Sequence, residues 1–337
     1  MKILNHLLKA REISSIIFLC IIFLLVGMVN PAFLNMRNLV LIFNGSIVFV
    51  LLAVGIAFVI ISGEIDVSIG ATLGLSAAVS ATLLRDGNSW AIAILCALLV
   101  GAIVGLLNGI GVTILKVPSI IMTLGMNGVV RGSIYVFTGG KWVENIPFSF
   151  KALSQATIKG GLTYFFFGAI ILMLIIHILL TRTNRGNYFA AVGDNISGAT
   201  LIGIPVNKYK IMSFIFCGIF SAIAGLVYVS RVGFVTPTAG NAYEMKAIAA
   251  CVLGGISLTG GVGTVIGATV GALIMSSISR VLVFLQFSSD YDNTITGILL
   301  IIIVVADSLI QRHMNEKARR ERLTARMLTV EGVEENE

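Results

Sequence analysis

Long apolar runs, separated by short polar segments rich in turn residues, fill most of the chain. About 20 consecutive apolar residues in a helix cross a bilayer, and the runs are bounded by Gly, Pro, Asn, Asp or charged residues. The pattern predicts an all-α polytopic membrane protein with ten spans. These lie at residues 13–30, 39–62, 67–84, 90–115, 117–137, 161–180, 210–230, 246–260, 263–285 and 293–310.

Composition agrees with a membrane location. Hydrophobic residues make up 57% of the 337 residues and charged residues only 12%, and the mean hydropathy is +1.00. Soluble globular proteins carry about 25% charged residues. The composition therefore excludes a soluble enzyme, a nucleic-acid-binding domain and a disordered chain.

The basic residues predict the orientation. The net charge of +7 comes from 23 Lys and Arg against 16 Asp and Glu, and cytoplasmic loops of membrane proteins carry an excess of Lys and Arg. With both termini in the cytoplasm, the cytoplasmic segments of a ten-span chain hold roughly twice as many basic residues as the outer ones. We therefore predict a cytoplasmic N-terminal segment at 1–12, a transmembrane domain at 13–310 and a cytoplasmic tail at 311–337.

Two glycine patterns raise the question of an internal repeat. The stretch Gly101–Gly109 places a glycine at every fourth residue, and so does Gly263–Gly271. They fall in the fourth and ninth predicted spans, as expected for an inverted five-plus-five repeat. Glycines four apart are also common wherever membrane helices pack closely, so chance similarity is the alternative.

The chain contains no catalytic signature. It has no phosphate-binding G-x-x-x-x-G-K-[ST] loop, no H-E-x-x-H and no G-x-S-x-G, and its four Cys and three His are scattered. We therefore predict no catalytic, cofactor-binding or metal-binding residue and no enzymatic activity. A transporter of this kind draws energy from an ion gradient or from a separate ATPase, and few ionisable residues lie inside the spans to relay ions.

Four segments resemble sugar-type permeases of ATP-binding-cassette (ABC) transporters, the ribose/xylose/arabinose group. They are Ser62–Gly70, Val117–Gly125, Ala191–Pro205 and Lys246–Gly263. The resemblance runs in order from about residue 40 to residue 310. Three further stretches are most similar to the members of the group that import autoinducer-2, namely Thr138–Glu144, Gly193–Asn195 and Glu244–Leu258.

The resemblance implies a permease in the cytoplasmic (inner) membrane that moves autoinducer-2, a small and highly hydroxylated signal molecule. It implies three partners, which are a second related permease, an ATP-binding subunit and a periplasmic solute-binding protein. No nucleic acid and no cofactor are implied. A ribose-, xylose- or rhamnose-type permease and an ion-coupled secondary transporter are the alternatives.

The resemblance also assigns a coupling loop that contacts the ATPase. In this loop a turn and helix cap would be followed by a short helix with an apolar face that includes Leu201 and Ile202. A solvated amphipathic connector is the alternative. The coupling residues are Gly193, Asp194, Asn195, Ala199, Gly203 and Ile204.

Polar residues within the spans are candidates for the translocation pathway, because a neutral polyol needs hydrogen-bonding groups along its route. They are Asn108, Thr123, Asn127 and Arg131, and the last three share one helix face. Packing between helices uses the same residue types and is the alternative. We interpret Asp66 as a helix cap rather than a substrate contact.

Outer loops with mixed charge and an aromatic residue are typical of a docking surface for a periplasmic protein. The candidates are Lys141, Trp142, Glu144, Arg231 and Glu244. Trp142 has a second interpretation, as an aromatic anchor at the membrane interface.

Overall fold

The computed structural model describes residues 11–158, 160–288, 290–305 and 308–309, and every structural statement below concerns these residues. The predicted tail at 311–337 and most of the N-terminal segment lie outside them. The helices are α1 Arg11–Val29, α2 Met36–Ile61, α3 Ile69–Arg85, α4 Trp90–Thr113, α5 Ser119–Thr138, α6 Phe148–Ala152, α7 Tyr164–Arg182, α8 Asn184–Asp194, α9 Ile196–Leu201, α10 Val206–Val232, α11 Tyr243–Leu253, α12 Val265–Phe284 and α13 Tyr291–Val305.

Each of the ten predicted spans coincides with a helix. Six helices are long and apolar enough to cross a membrane, namely α2, α4, α5, α7, α10 and α12, and α1, α3 and α13 are shorter apolar helices. The chain is thus a multi-pass helical membrane protein.

The prediction for residues 246–260 is wrong in its bounds. The helix there, α11, ends at Leu253 and has only 11 residues. At 1.5 Å per residue it is about 16 Å long, roughly half the thickness of the hydrocarbon layer. Residues 254–264 turn back at the end of α11 to reach α12, and the total number of crossings stays a prediction.

Polar caps set several helix starts. The side chain of Asn35 accepts a hydrogen bond from the backbone N–H of Arg37, and the hydroxyl of Thr163 accepts one from Phe166. These contacts satisfy N–H groups that have no partner within the helix. At the opposite ends, α5 and α10 stop at Gly139 and Gly233, whose positive φ angles of 62° and 81° suit glycine.

The loops gather at two ends of the bundle. We call the end where α1 begins the inner end and the opposite end the outer end, after the predicted orientation. At the inner end the N–H of Gly261 donates to the carbonyl of Ile61 over 2.9 Å. At the outer end, where α1 finishes, the amide of Asn30 donates to the carbonyl of Phe284 over 3.3 Å. Both contacts join segments from the two halves of the chain.

The helix pairs recur in a reciprocal pattern. In the first half α3 packs against α4, and both contact α10; in the second half α11 packs against α12, and both contact α2. Exchanging α2, α3 and α4 for α10, α11 and α12 reproduces these pairs, as an inverted five-plus-five repeat predicts. The glycine patterns themselves are not equivalent, because Gly101–Gly109 lies within α4 whereas Gly263 precedes α12.

Candidate functional site

A short non-helical segment at 62–68 interrupts the bundle between α2 and α3, and we call it the break segment. Gly63 has a φ of +82°, and Ser62, Asp66 and Ser68 are buried. Backbone polar groups away from water need partners, because an unsatisfied one costs several kcal/mol in hydrocarbon. The contacts of this segment therefore show what the surrounding polar residues do.

One face of α5 satisfies the break segment. The hydroxyl of Thr123 accepts from the N–H of Val67 over 3.1 Å, and the amide of Asn127 donates to the carbonyl of Val67 over 3.0 Å. The hydroxyl of Ser119 accepts from the N–H of Ile65 over 3.3 Å. The packing interpretation of Thr123 and Asn127 is therefore realised in this structure, and their place on a translocation pathway stays a prediction.

A buried polar chain continues from the break segment into α4. A carboxylate oxygen of Asp66 accepts from the N–H of Ser68 over 2.8 Å and from its hydroxyl over 2.6 Å. The amide of Asn108 donates to the same hydroxyl over 2.8 Å. Asp66 thus holds Ser68, the N-cap residue of α3, rather than capping the helix itself as predicted, and the buried Asn108 connects Ser68 to α4.

Arg131 and Glu244 lie where the starts of α3 and α11 meet. The guanidinium of Arg131 donates to the carbonyl of Ala239, and it is close enough to Glu244 for electrostatic attraction. A methyl group on Gly70 would stand 2.2 Å from a carboxylate oxygen of Glu244. The same methyl group would stand 2.4 Å from the carbonyl oxygen of Gly240, a backbone atom, so glycine at position 70 lets the segment before α11 approach α3 closely.

The prediction of Glu244 as a docking residue is wrong, because its side chain lies inside the bundle. Glu244 is only 7% exposed. Its packing against Gly70 withdraws the carboxylate from the outer surface. Its position instead places an acidic group beside Arg131, one of the pathway candidates.

The other four docking candidates are exposed at the outer end. Trp142 stacks on Phe234 with ring centroids 5.4 Å apart, and a backbone bridge between residues 143 and 235 joins the loop of Lys141 and Glu144 to the loop after α10. Arg231 lies in the last turn of α10 and donates to the carbonyl of Gly45. The surface around Trp142 is therefore built from two loops, with Arg231 at the end of the helix that leads into the second loop.

At the inner end, the predicted coupling loop contains the short helix α9. The side chain of Asn195 accepts from the N–H of Gly198 over 2.8 Å, which confirms the predicted cap. The predicted turn at Gly193 and Asp194 is wrong, because both residues belong to the last turn of α8. A methyl group on Gly193 would stand 2.0 Å from the carbonyl oxygen of Ile61, so α8 packs directly on the end of α2.

The apolar residues of this loop do not form one face, contrary to the prediction. Ala199 and Ile204 are buried in the subunit, whereas Leu201 is 88% exposed and Ile202 74% exposed. Ala199 and Leu201 are two residues apart in α9 and therefore lie on opposite sides of the helix, and the chain turns at Gly203, whose φ is +81°, before the buried Ile204. The side chains of Leu201 and Ile202 are thus exposed at the inner end of the subunit.

Sequence reasoning missed two buried ion pairs. Lys210 donates to Glu64 in the break segment, and Lys246 of α11 donates to Asp292 of α13. The partners are 146 and 46 residues apart in the sequence, so no local spacing indicates either pair.

Comparison with known proteins places the chain in a family. The model of a family described as "branched-chain amino acid transport system / permease component" matches residues 38–304. The chain belongs to this permease family. No solved structure was found that matches it.

Several relatives of this permease carry one name, "Autoinducer 2 import system permease protein LsrC". The protein from Enterobacter sp. (strain 638) is 40% identical over 316 residues, which cover 94% of this chain and 92% of the relative. The Salmonella typhi protein is 37% identical over 319 residues, covering 95% and 92%. The Yersinia pseudotuberculosis protein is 38% identical over 328 residues, covering 96% and 93%.

These comparisons confirm the resemblance to sugar-type ABC permeases. The protein is the permease component of a sugar-type ABC transporter, and its relatives are named as transport proteins rather than enzymes.

Proposed function

We propose that this permease is one subunit of an ATP-driven importer that carries autoinducer-2 across the cytoplasmic membrane. The observation that carries the proposal is the identity of 37–40% with permeases named for autoinducer-2 import, extending over at least 94% of this chain. The segments that resemble that subgroup are spread along the chain, from the outer loop at 138–144 to α11.

The energy would come from a separate ATP-binding subunit at the inner end. Leu201 and Ile202 are exposed there on the α9 loop, outside the long apolar helices. Two large apolar side chains held by a capped helix suit insertion into a groove of a partner protein. The ATP-binding subunit would cover them and pass its own motion to the loop.

A second permease would pack beside α5. One face of this helix is exposed, and methyl groups at Gly125, Gly128 and Gly132 would meet no atom within 4 Å. Small residues let two membrane helices approach closely. The ligand would then cross between the two permeases, next to the half-buried Asn127 and Arg131.

A periplasmic binding protein would deliver the ligand to the outer patch around Trp142. Docking outside and ATP binding inside would together switch the cavity between the permeases from outward to inward access. The ligand leaves unmodified, so the role of each pathway residue is to offer hydrogen bonds to hydroxyl groups.

Uptake of labelled autoinducer-2 tests the proposal. Cells with and without the gene, and the deletion complemented with the wild-type gene, are compared with and without excess unlabelled ribose. We expect the deletion to lose uptake, complementation to restore it and ribose to leave it unchanged. Unchanged uptake in the deletion refutes the substrate, and strong competition by ribose points to a pentose permease. Collapse of uptake with an uncoupler at constant ATP would refute the ATP-driven mechanism.

A further inference from the structure

The coupling loop is joined to the break segment by a buried ion pair. After α9 the chain turns at residues 202–205 and enters α10, where the ammonium of Lys210 donates to a carboxylate oxygen of Glu64. The two side chains are only 13% and 14% exposed. Lys210 is therefore only eight residues after Ile202, at the fifth position of α10, and its side chain contacts the break segment directly.

A second contact lies one turn further along α10. The hydroxyls of Ser62 and Ser213 are 3.1 Å apart, and Ser213 also donates to the carbonyl of Lys210 over 2.7 Å. Two side chains on one face of α10 thus hold two residues of the break segment, Ser62 and Glu64.

On the other side of α9, the coupling loop contacts the start of the break segment through its backbone. Gly193, three residues before α9, packs on the carbonyl of Ile61, which also accepts from the N–H of Gly261. The start of the break segment is therefore held by contacts from residues on both sides of α9, namely Gly193 before the helix and Lys210 and Ser213 after it.

The far end of the break segment leads into the membrane. Asp66 holds Ser68 at the start of α3, and the backbone of Val67 is held by α5. A shift of the segment at Glu64 must therefore either move the start of α3 or break these hydrogen bonds.

We propose that Glu64 and Lys210 are positioning residues that transmit movement of the coupling loop to the break segment and thereby to α3. The inference rests on the proposed function, since it requires an ATP-binding subunit at the loop. Separating a buried ion pair leaves two uncompensated charges, so the pair holds together while its surroundings move. The ion pair would thereby connect movement at the ATP-binding subunit to the helices beside the substrate pathway.

The test uses the complete transporter, with its ATP-binding subunit, second permease and binding protein, in proteoliposomes. ATP hydrolysis and uptake of labelled autoinducer-2 are measured for Lys210→Met, the isosteric Glu64→Gln and the conservative Lys210→Arg. We expect the first two to assemble and hydrolyse ATP, with uptake per ATP hydrolysed at least tenfold lower, and Lys210→Arg to recover most of it. The control is Arg85→Met, which removes an exposed ion pair with Asp86 and should leave the ratio unchanged.

A purely structural role predicts a different result. Uptake and hydrolysis would then fall in proportion with the amount of assembled complex, and this outcome, like an unchanged ratio, overturns the inference. Hydrogen exchange of residues 62–68 supplies a measurement that needs no ligand. ATP should alter exchange there in the wild type and not in Lys210→Met, and the absence of any wild-type response also overturns the inference. If the wild type shows that response but does not take up autoinducer-2, the proposed substrate fails alone.

Discussion

A close backbone contact between α4 and α10 offers a sharp test of the fold. Gly101 of α4 faces Gly218 of α10 so directly that a methyl group on Gly101 would stand 2.2 Å from the carbonyl oxygen of Gly218. A methyl group on Gly218 would stand 2.0 Å from the carbonyl oxygen of Gly101. Because the blocking atoms are backbone, neither contact can be relieved by a side-chain rotation.

The magnitude follows from that geometry. Carbon and carbonyl oxygen normally approach to about 3.3–3.6 Å, so Gly101→Ala must move the two helices apart by roughly 1 Å. Such overpacking costs about 1–3 kcal/mol. Replacing glycine by alanine in a helix also gains up to about 1 kcal/mol of helix propensity, which hides part of the cost.

Gly128→Ala supplies the control, since a methyl group there would meet no atom within 4 Å. Both substitutions carry the same propensity gain, so the difference between them isolates the steric cost of about 1–3 kcal/mol. The assay is reversible unfolding of the purified subunit in mixed detergent, followed by circular dichroism. The reasoning is refuted if Gly101→Ala is as stable as Gly128→Ala.

Three further predictions concern the surfaces and the break segment. Asn127→Ala should lower the free energy of unfolding by about 1 kcal/mol in the same assay, because it removes the hydrogen bond to Val67. Leu201→Asp should abolish co-purification with the ATP-binding subunit, whereas the matched control Leu115→Asp, an exposed leucine in another inner loop, should not. Trp142→Ala should raise the Kd of the binding protein for the transporter several-fold in a surface-binding measurement, without changing ATP hydrolysis in its absence; an unchanged Kd would leave Trp142 as a membrane anchor.

The positions of the spanning helices could be predicted because a segment that lies in lipid must be apolar over about 20 consecutive residues, and such a run is visible in the sequence. An apolar run of span length has one stable backbone conformation in a bilayer, since every peptide group must find a partner within the segment. The prediction failed at 246–260, where apolar residues continue past the end of α11. Gly255, with a φ of +85°, turns the chain there. A hydropathy pattern does not show where an apolar segment changes direction.

The site was less predictable because its contacts join distant parts of the sequence. Asp66 could be placed at the start of α3, since its partner, the N-cap residue Ser68, is two residues away. Glu244 could not be assigned correctly, because its burial depends on Gly70, a residue of the other half of the chain. The separation of Leu201 from Ala199 follows from helical periodicity, since residues two apart do not share a helix face, but which of the two is buried depends on packing against the rest of the subunit.

The inner end combines two kinds of contact, and the difference between them explains why we place transmission on one ion pair. The α8 helix and the 254–264 loop meet the break segment mainly through glycines, with Gly63, Gly193 and Gly260 packed backbone to backbone. Such surfaces lack interlocking side chains, so they resist approach more than they resist sliding. The ion pair of Glu64 with Lys210 resists separation instead, because each charge is buried and has the other as its partner. A pull on the coupling loop would therefore reach the break segment through α10, while the glycine contacts allow the neighbouring helices to slide past.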